Sequence, residues 1–205
     1  MSGVALTFDD GPDPRWTPLL LDCLTSLKAP ATFFPLGSRA SRQSDLLARM
    51  RREGHEIGLH GGFHLDHQTT PPDVLEHDTQ LALDWLGRPA PRLWRPPWGR
   101  VAPATIVVAK RHGLRLVTWT ADSEDWQAPA TAASILERLT PDLRGGAVIL
   151  MHDGIGPGLR EERRASPEPT LELVPLLIAT IRELGLEPTL IDRADAPRPG
   201  EPLPR

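Results

Sequence analysis

Short apolar runs alternate with amphipathic segments along most of the chain. The apolar runs end in turn-forming residues, as β-strands do, and the segments between them carry apolar residues at helical spacing. The predicted strands lie at 4–8, 31–36, 56–59, 92–95, 115–120, 147–151 and 189–191. The predicted helices lie at 17–27, 41–52, 70–86, 103–112, 131–139 and 171–184.

This alternation of strands and helices indicates a parallel sheet with crossover helices. The run at 147–151 is apolar throughout, as expected for a strand that is covered on both faces. About seven βα units is one fewer than a regular eight-fold barrel contains. The sequence therefore predicts an α/β fold, a distorted and incomplete (β/α)7 barrel with parallel strands. An open doubly wound sheet is the alternative.

Length and composition favour a single domain. The chain has 205 residues, enough to bury a core without disulfides, and its one cysteine excludes an internal disulfide framework. We expect a domain over 1–192 and a disordered tail over 193–205, which is rich in proline and charge. The formal net charge of -4, with scattered basic residues, argues against nucleic acid as a partner.

Targeting signals are not visible in the sequence. No apolar run approaches the ~20 residues that cross a bilayer. The chain does not begin with a charged segment followed by an apolar one, as secretory signals do. As it stands, the sequence predicts a cytoplasmic protein, and removal of an export segment would make it an extracellular or cell-envelope protein. We expect a monomer.

Residues able to do chemistry follow most of the predicted strands. In a parallel barrel the carboxyl ends of the strands meet at one mouth, which is where active sites form. Each set alone could be a turn or a cap, but their convergence on one mouth indicates an active site. These residues are Asp9 and Asp10, His60 and His64, Arg95, Asp122 and Asp125, and His152 and Asp153.

His60 and His64, with a carboxylate, offer the donors of a catalytic zinc site. The two glycines between the histidines favour a loop or a single tight turn over a helix. The same donors also suit iron, cobalt or manganese. The adjacent carboxylates of Asp9 and Asp10 repel each other, and a nearby cation or a proton on one of them would relieve this repulsion.

Aromatic residues flank the same predicted mouth. The segment at 95–99, Arg-Pro-Pro-Trp-Gly, is a stiff loop whose arginine could hold a carboxylate through two hydrogen bonds. Trp98 and Trp126 suit stacking on a sugar ring. We assign Trp119 to the core, and His67 to the surface or to a supporting contact of the histidine pair.

In order along the chain, five motifs resemble those of the polysaccharide deacetylases, the NodB-homology group called carbohydrate esterase family 4. The resemblance runs from about residue 7 to 153, and the helix and strand beyond fit the same domain. It implies a (β/α)7 barrel and an acetylated glycan as substrate. The motifs are Thr-Phe-Asp-Asp-Gly-Pro at 7–12, His60-x-x-x-His64, Arg95-Pro-Pro-Trp-Gly, Asp122-x-x-Asp125-Trp126 and Leu150-Met-His152-Asp.

The resemblance also implies a role for each motif residue. Asp9 would be the general base, oriented by Arg95, and His152 would be the general acid on the leaving amine. Asp125, in preference to Asp122, would orient His152. The metal ligands would be Asp10, His60 and His64. The expected metal is Zn2+, with Co2+, Mn2+ or Ni2+ as alternatives.

Substrate contacts follow from the same resemblance. Leu150 and Trp126 would line a pocket for the acetyl methyl group, while Pro97 and Trp98 would contact the sugar. The backbone N–H of Trp98 would face the oxyanion. Two positions depart from the family pattern, since Gly61 stands where Ser or Thr is common and Trp98 where Tyr is usual.

The sequence thus predicts a metal-dependent hydrolase that removes N-acetyl groups from a carbohydrate such as peptidoglycan or chitin oligomers. The same fold could serve a deformylase or amidase acting on a sugar nucleotide, a lipid-linked sugar or a non-sugar amide. A non-haem iron oxygenase would leave Asp9, the Arg95 loop and His152 without a role. A non-catalytic glycan-binding protein would not need a complete set of ligands, base and acid.

Overall fold

Parallel strands and the helices between them form the fold. The structure, a computed structural model, describes residues 3–127, 129–156 and 166–191. The predicted tail at 193–205 lies outside these ranges. The strands are Gly3–Asp9 (β1), Thr32–Phe34 (β2), Glu56–Ile57 (β3), Leu93–Trp94 (β4), Arg115–Leu116 (β5), Ala121–Asp122 (β6), Val148–His152 (β7) and Glu187–Thr189 (β8). The helices are Trp16–Ser26 (α1), Gly37–Ala40 (α2), Ser44–Arg52 (α3), Pro72–Leu86 (α4), Pro103–Arg111 (α5), Ala132–Leu139 (α6) and Glu168–Glu183 (α7).

Every strand pairing among the described residues is parallel, as the alternation of elements predicts. The larger sheet has the order β3-β2-β1-β7-β6, and β4 and β5 form a second sheet. An isolated parallel bridge between Leu59 and Trp94 connects the end of β3 to β4. These pairings confirm the parallel α/β architecture.

The segment that the pattern predicts as one strand over 115–120 is divided between the two sheets. Val117 donates a backbone hydrogen bond to the carbonyl of Trp94 in β4 (2.9 Å). Thr120 donates instead to the carbonyl of Val148 in β7 (2.9 Å). The chain therefore crosses from one sheet to the other at 118–119. A pattern of apolar positions does not record which neighbour each half of a strand pairs with.

The last strand, β8, and β2 pair with different halves of β1. The first half of β1 pairs with β8, in the register Gly3 to Glu187, while its second half pairs with β2 from Thr7 onward. The close approach of β8 is possible because residue 3 is glycine, where a Cβ would lie 2.4 Å from Cγ2 of Thr189. The structure places this strand two residues earlier than the predicted 189–191.

Side chains of β1 alternate between the two faces of the barrel wall. Val4, Leu6 and Phe8 belong to the outer core beneath the helices, whereas Ala5 belongs to a small inner cluster. The inner cluster is composed of Ala5, Phe34, Leu93, Val117, Val148 and Ile191. The period of two continues along the strand, so Asp9 points to the interior at its carboxyl end. None of the described helices is long and apolar enough to cross a membrane.

Gly58 is a packing constraint that can be tested. A Cβ at this position would lie 2.4 Å from the ring of Phe34. We expect Gly58→Ala to lower the free energy of unfolding by about 1–3 kcal/mol, because the ring must move in a closely packed interior. Urea unfolding measures this change. In a Phe34→Leu background the penalty should shrink, and an equal penalty in both backgrounds would contradict this explanation.

Candidate active site

The carboxyl end of β1 brings two adjacent carboxylates to the barrel mouth. Asp9 points inward by strand alternation, and Asp10 follows with a left-handed φ of 71° that turns the chain. Arg39, just after β2, donates a hydrogen bond to the carbonyl of Asp10 (2.8 Å) and so helps to hold this turn. Both aspartates therefore face one cavity, although neighbours in a regular strand would point apart.

A cavity of about 310 Å³ lies at this mouth. It collects side chains that follow different strands, as the positional pattern predicts. The predicted site residues that line it are Asp9, Asp10, His60, His64, Trp98, Asp122, Asp125, Trp126, Leu150 and His152. Arg95 lies behind Asp9, and Pro97 is buried but does not belong to the described lining.

Asp10, His60 and His64 form a group whose ligand atoms all lie within 4.8 Å of one another. Oδ1 of Asp10 is 3.5 Å from Nε2 of His60 and 3.4 Å from Nε2 of His64. That oxygen is buried and has no hydrogen-bond partner among the described residues. A buried carboxylate oxygen without a partner is costly unless a cation binds it. Two imidazoles and a carboxylate suit a divalent ion such as zinc.

The histidines of this group are set to act as neutral ligands. Nδ1 of His60 lies 2.7 Å from the carbonyl oxygen of Arg95, which fixes the proton on Nδ1 and leaves the Nε2 lone pair free. Burial lowers the pKa of His60 and of His64 to about 3. Burial raises the pKa of Asp10 to about 6, and the neighbouring charge of Asp9 adds to that rise. A bound cation would stabilise the carboxylate form of Asp10.

Arg95 holds Asp9 from inside the barrel. The guanidinium is fully buried and donates from Nη1 to Oδ1 of Asp9 (2.7 Å) and to Oγ1 of Thr7 (2.8 Å). It also donates to the carbonyl of Thr118 (3.1 Å) and lies over the ring of Phe34. Burial raises the pKa of Asp9 above its usual value, and the charge of Arg95 opposes that rise. Oδ2 of Asp9 remains directed toward His60, 3.8 Å from its Nε2.

Asp125 holds His152 through two contacts. One carboxylate oxygen lies 2.7 Å from Nδ1 of His152, and the other accepts the backbone N–H of His152 (2.9 Å). Thr170 on α7 donates to this second oxygen (2.6 Å). Burial by itself would lower the pKa of His152, but the Asp125 carboxylate outweighs it and raises the pKa to about 10. Asp122 lines the cavity without contacting the imidazole, and its carboxylate accepts the N–H of Glu124 (2.9 Å).

Three tryptophans and a leucine belong to the apolar part of the cavity wall, which also includes Ile155 and Pro167. Trp98 is 52% exposed, and its ring lies 4.2 Å from that of His64 in an edge-to-face arrangement. Trp126 and Leu150 line the cavity, as the resemblance predicts. Trp119 packs against the inner cluster, in agreement with its assignment to the core, and it also lines the cavity. Gly99 makes room for this ring, since a Cβ there would lie 2.9 Å from it.

Among the supporting residues that the sequence does not indicate are Arg39 and Asp78, and one of the two assignments of His67 is wrong. Arg39 follows β2, the strand end that carries no candidate in the sequence pattern, although the same positional rule applies to it. Asp78 lies in the middle of α4, where an acidic residue is typical of a solvated helix face, yet it is 4% exposed. His67 is 2% exposed and contacts Thr105 (3.1 Å), so the surface assignment is wrong.

The fold and the site together define the class of the protein, a metal-dependent hydrolase built on a barrel of parallel strands. A family model described as polysaccharide deacetylase matches residues 2–117. The chain belongs to the polysaccharide deacetylase family, the NodB-homology domains of carbohydrate esterase family 4. This membership makes it an enzyme of the polysaccharide N-deacetylase type.

Curated relatives and solved structures agree with this placement. A chitooligosaccharide deacetylase of Bradyrhizobium sp. (strain ANU 289) is 36% identical over 193 residues, 90% of this chain and 86% of that protein. A peptidoglycan-N-acetylglucosamine deacetylase of Bacillus cereus is 38% identical over 157 residues, 74% of this chain and 72% of that protein. A family 4 carbohydrate esterase from Streptomyces lividans, solved with acetate, has a TM-score of 0.84 at 28% identity and covers 97% of this chain and 98% of its own. An acetyl xylan esterase from Clostridium thermocellum, solved with cobalt, has a TM-score of 0.79 at 29% identity over 90% of this chain and 85% of its own.

The contact between Asp125 and His152 predicts a strong effect on the pKa of the imidazole. In the metal-free protein, we expect Asp125→Asn to lower the pKa of His152 well below the value of about 10 in the parent. NMR titration of the histidine side chains measures it. Asp122→Asn is the matched control and should leave the pKa near the parent value, because Asp122 makes no hydrogen bond to His152. A larger shift in the control would exclude Asp125 as the partner.

The same contact predicts a pH dependence of stability. Folding raises the pKa of His152 above its value of about 6.5 in an unfolded chain. The pair therefore stabilises the metal-free fold fully below about pH 6.5, and this stabilisation is lost as the pH rises through about 10. Urea unfolding at several pH values should show the loss in the parent protein and a smaller loss in Asp125→Asn.

Proposed function

We propose that this protein hydrolyses N-acetyl groups on a glycan that contains N-acetylglucosamine, such as chitin oligomers or peptidoglycan. The observation that carries the proposal is one cavity lined by a divalent-metal donor set, an arginine-held carboxylate and an aspartate-held imidazole. Amide hydrolysis requires a base for the attacking water and an acid for the departing amine. We assign residues 1–192 to the deacetylase domain.

Asp10, His60 and His64 are the proposed metal ligands, and Zn2+ is the proposed ion. Their donors suit it because both histidines are neutral and the unpartnered Asp10 oxygen faces them. When bound, a divalent ion polarises the amide carbonyl and makes a water molecule more acidic. Co2+, Mn2+ or Ni2+ could occupy the same donors.

Asp9 is the proposed general base. Its Oδ1 is occupied by Arg95, which leaves Oδ2 to accept a proton from the attacking water. Burial makes the carboxylate a stronger base than an exposed one, while the Arg95 ion pair favours its ionised form and fixes its orientation. Arg95 acts through Asp9 and is therefore a positioning residue.

His152 is the proposed general acid. Its raised pKa keeps the ring protonated at neutral pH, so that it can give a proton to the nitrogen that leaves. Asp125 fixes Nδ1 of the ring and directs Nε2 to the cavity. Asp125 is a positioning residue, and Thr170 holds it in turn.

The apolar wall and one backbone amide complete the proposed substrate site. Trp126 and Leu150 would contact the acetyl methyl group, and Trp98 and Trp119 would stack against sugar rings, whose apolar faces suit indoles. The backbone N–H of Trp98 would donate to the oxyanion that forms at the carbonyl carbon. Pro97 would support the Trp98 loop from its buried position.

Acetate release tests the reaction class. The substrates are N-acetylglucosamine oligomers, peptidoglycan fragments and acetylated xylan, each with added Zn2+ and, in parallel, with a chelator. We expect release from the N-acetylated glycans that the chelator abolishes. Release only from xylan would indicate an esterase, as the name of the Clostridium thermocellum relative suggests. No release from any glycan by the Zn2+-loaded protein would favour a deformylase or amidase with another amide substrate.

Substitutions at Asp9 and Asp10 separate the base from the ligand set. Asp9→Asn should retain Zn2+ and lower kcat by about 10²–10⁴-fold, since a general base contributes on that order. Asp10→Ala should lose Zn2+ affinity and activity together. Zn2+ content and acetate release are measured on the same preparations, with the exposed Asp84→Asn as control. Full activity of Asp9→Asn would rule out Asp9 as the base.

A further inference from the structure

The loop between the two proposed metal-binding histidines is anchored through its carbonyl groups. The N–H of Gly37 donates to the carbonyl of Gly61 (2.9 Å), and the N–H of Ser38 donates to the carbonyl of Gly62 (3.1 Å). Gly37 and Ser38 begin α2, directly after β2. One side of the loop is therefore attached to the barrel by hydrogen bonds between backbone groups.

The amide groups of the same loop are anchored by Asp78 on α4. One carboxylate oxygen accepts the N–H of Gly62 (2.7 Å), and the other accepts the N–H of Phe63 (3.0 Å). Asp78 is 4% exposed, and no basic side chain of the described residues lies within salt-bridge distance of it. Burying a carboxylate without a cation is unfavourable, so the two loop amides are its main compensation.

The glycines of the loop fit this carboxylate. A Cβ at Gly62 would lie 2.6 Å from Oδ1 of Asp78, so a larger residue would displace it. Gly61 has a φ of +95°, which favours glycine. His64, which ends the loop, has a left-handed φ of 58°. A non-glycine residue keeps such a conformation only where its surroundings hold it.

We propose that Asp78 is a positioning residue for His64. By fixing the amides of the two residues before it, Asp78 holds the strained backbone of His64 and keeps Nε2 within 3.4 Å of Oδ1 of Asp10. Asp78 contacts the loop and not the ligands themselves. The inference rests on the metal site of the proposed function, and it assigns the rigidity of that site to a residue on an outer helix.

The test is the Zn2+ affinity of Asp78→Asn, measured by competition with a fluorescent chelator. Asn keeps the size of the side chain but replaces one acceptor oxygen by an NH2 group, which cannot accept a loop N–H. We expect the dissociation constant to rise about 10–100-fold, as for other residues that support metal ligands. The rise in Tm on adding Zn2+ should shrink accordingly. Asp84→Asn, on the same helix but exposed, should leave both quantities unchanged.

A second variant tests the contact between Gly62 and the Asp78 carboxylate. It also provides a test if Asp78→Asn does not fold. Gly62→Ala should weaken Zn2+ binding, and the additional loss should be smaller in an Asp78→Ala background, where the carboxylate that makes the closest contact is gone. Equal losses in both backgrounds would overturn the proposal. So would wild-type Zn2+ affinity in Asp78→Asn with a lowered Tm of the metal-free protein, because this would indicate a structural role alone. If Zn2+ affinity falls as expected but no glycan is deacetylated, the inference stands and the proposed function fails.

Discussion

The ion pair between Arg95 and Asp9 inside the barrel is the interaction on which the rest of the site depends. A guanidinium with no exposed surface must find acceptors within the protein, and this one has Thr7, Asp9 and the carbonyl of Thr118. These acceptors belong to β1 and to the segment that crosses between the two sheets. The pair therefore joins strands that no backbone ladder connects. Thr7 extends this network to β7 by donating to the carbonyl of Ile149 (2.6 Å).

Charge burial at the barrel mouth also explains why the site is suited to a cation. Asp9 has Arg95 and Asp125 has His152, but Oδ1 of Asp10 has no partner among the described residues. The two nearest imidazoles are neutral because burial opposes their protonation. A buried cluster with one unbalanced carboxylate and two neutral imidazoles beside it is destabilising in the absence of a positive charge. The turn at Asp10 is maintained in spite of this cost, because Arg39 donates a hydrogen bond to the carbonyl of Asp10.

Features that depend on one strand and its end could be predicted from the sequence. The predictions of a parallel α/β barrel and of its family are confirmed. They could be made because short apolar runs followed by polar residues are local features of the sequence and do not depend on distant contacts. The division of the predicted strand at 115–120 could not be foreseen, because it depends on which sheet accepts each half. The surface assignment of His67 is wrong for a similar reason, since an isolated histidine does not reveal what packs against it. The catalytic roles stay predictions.

The geometry also explains how Asp9 and His152 can have opposite tasks although they are paired neighbours on β1 and β7. Partners on adjacent strands lie roughly 4.8 Å apart at the backbone, close enough to share a proton in a buried site. Each group instead has its own partner, Arg95 for Asp9 and Asp125 for His152. Arg95 stabilises the ionised carboxylate, while Asp125 stabilises the imidazolium. A base and an acid can therefore stand side by side without neutralising each other, which is the separation of proton affinities that amide hydrolysis requires.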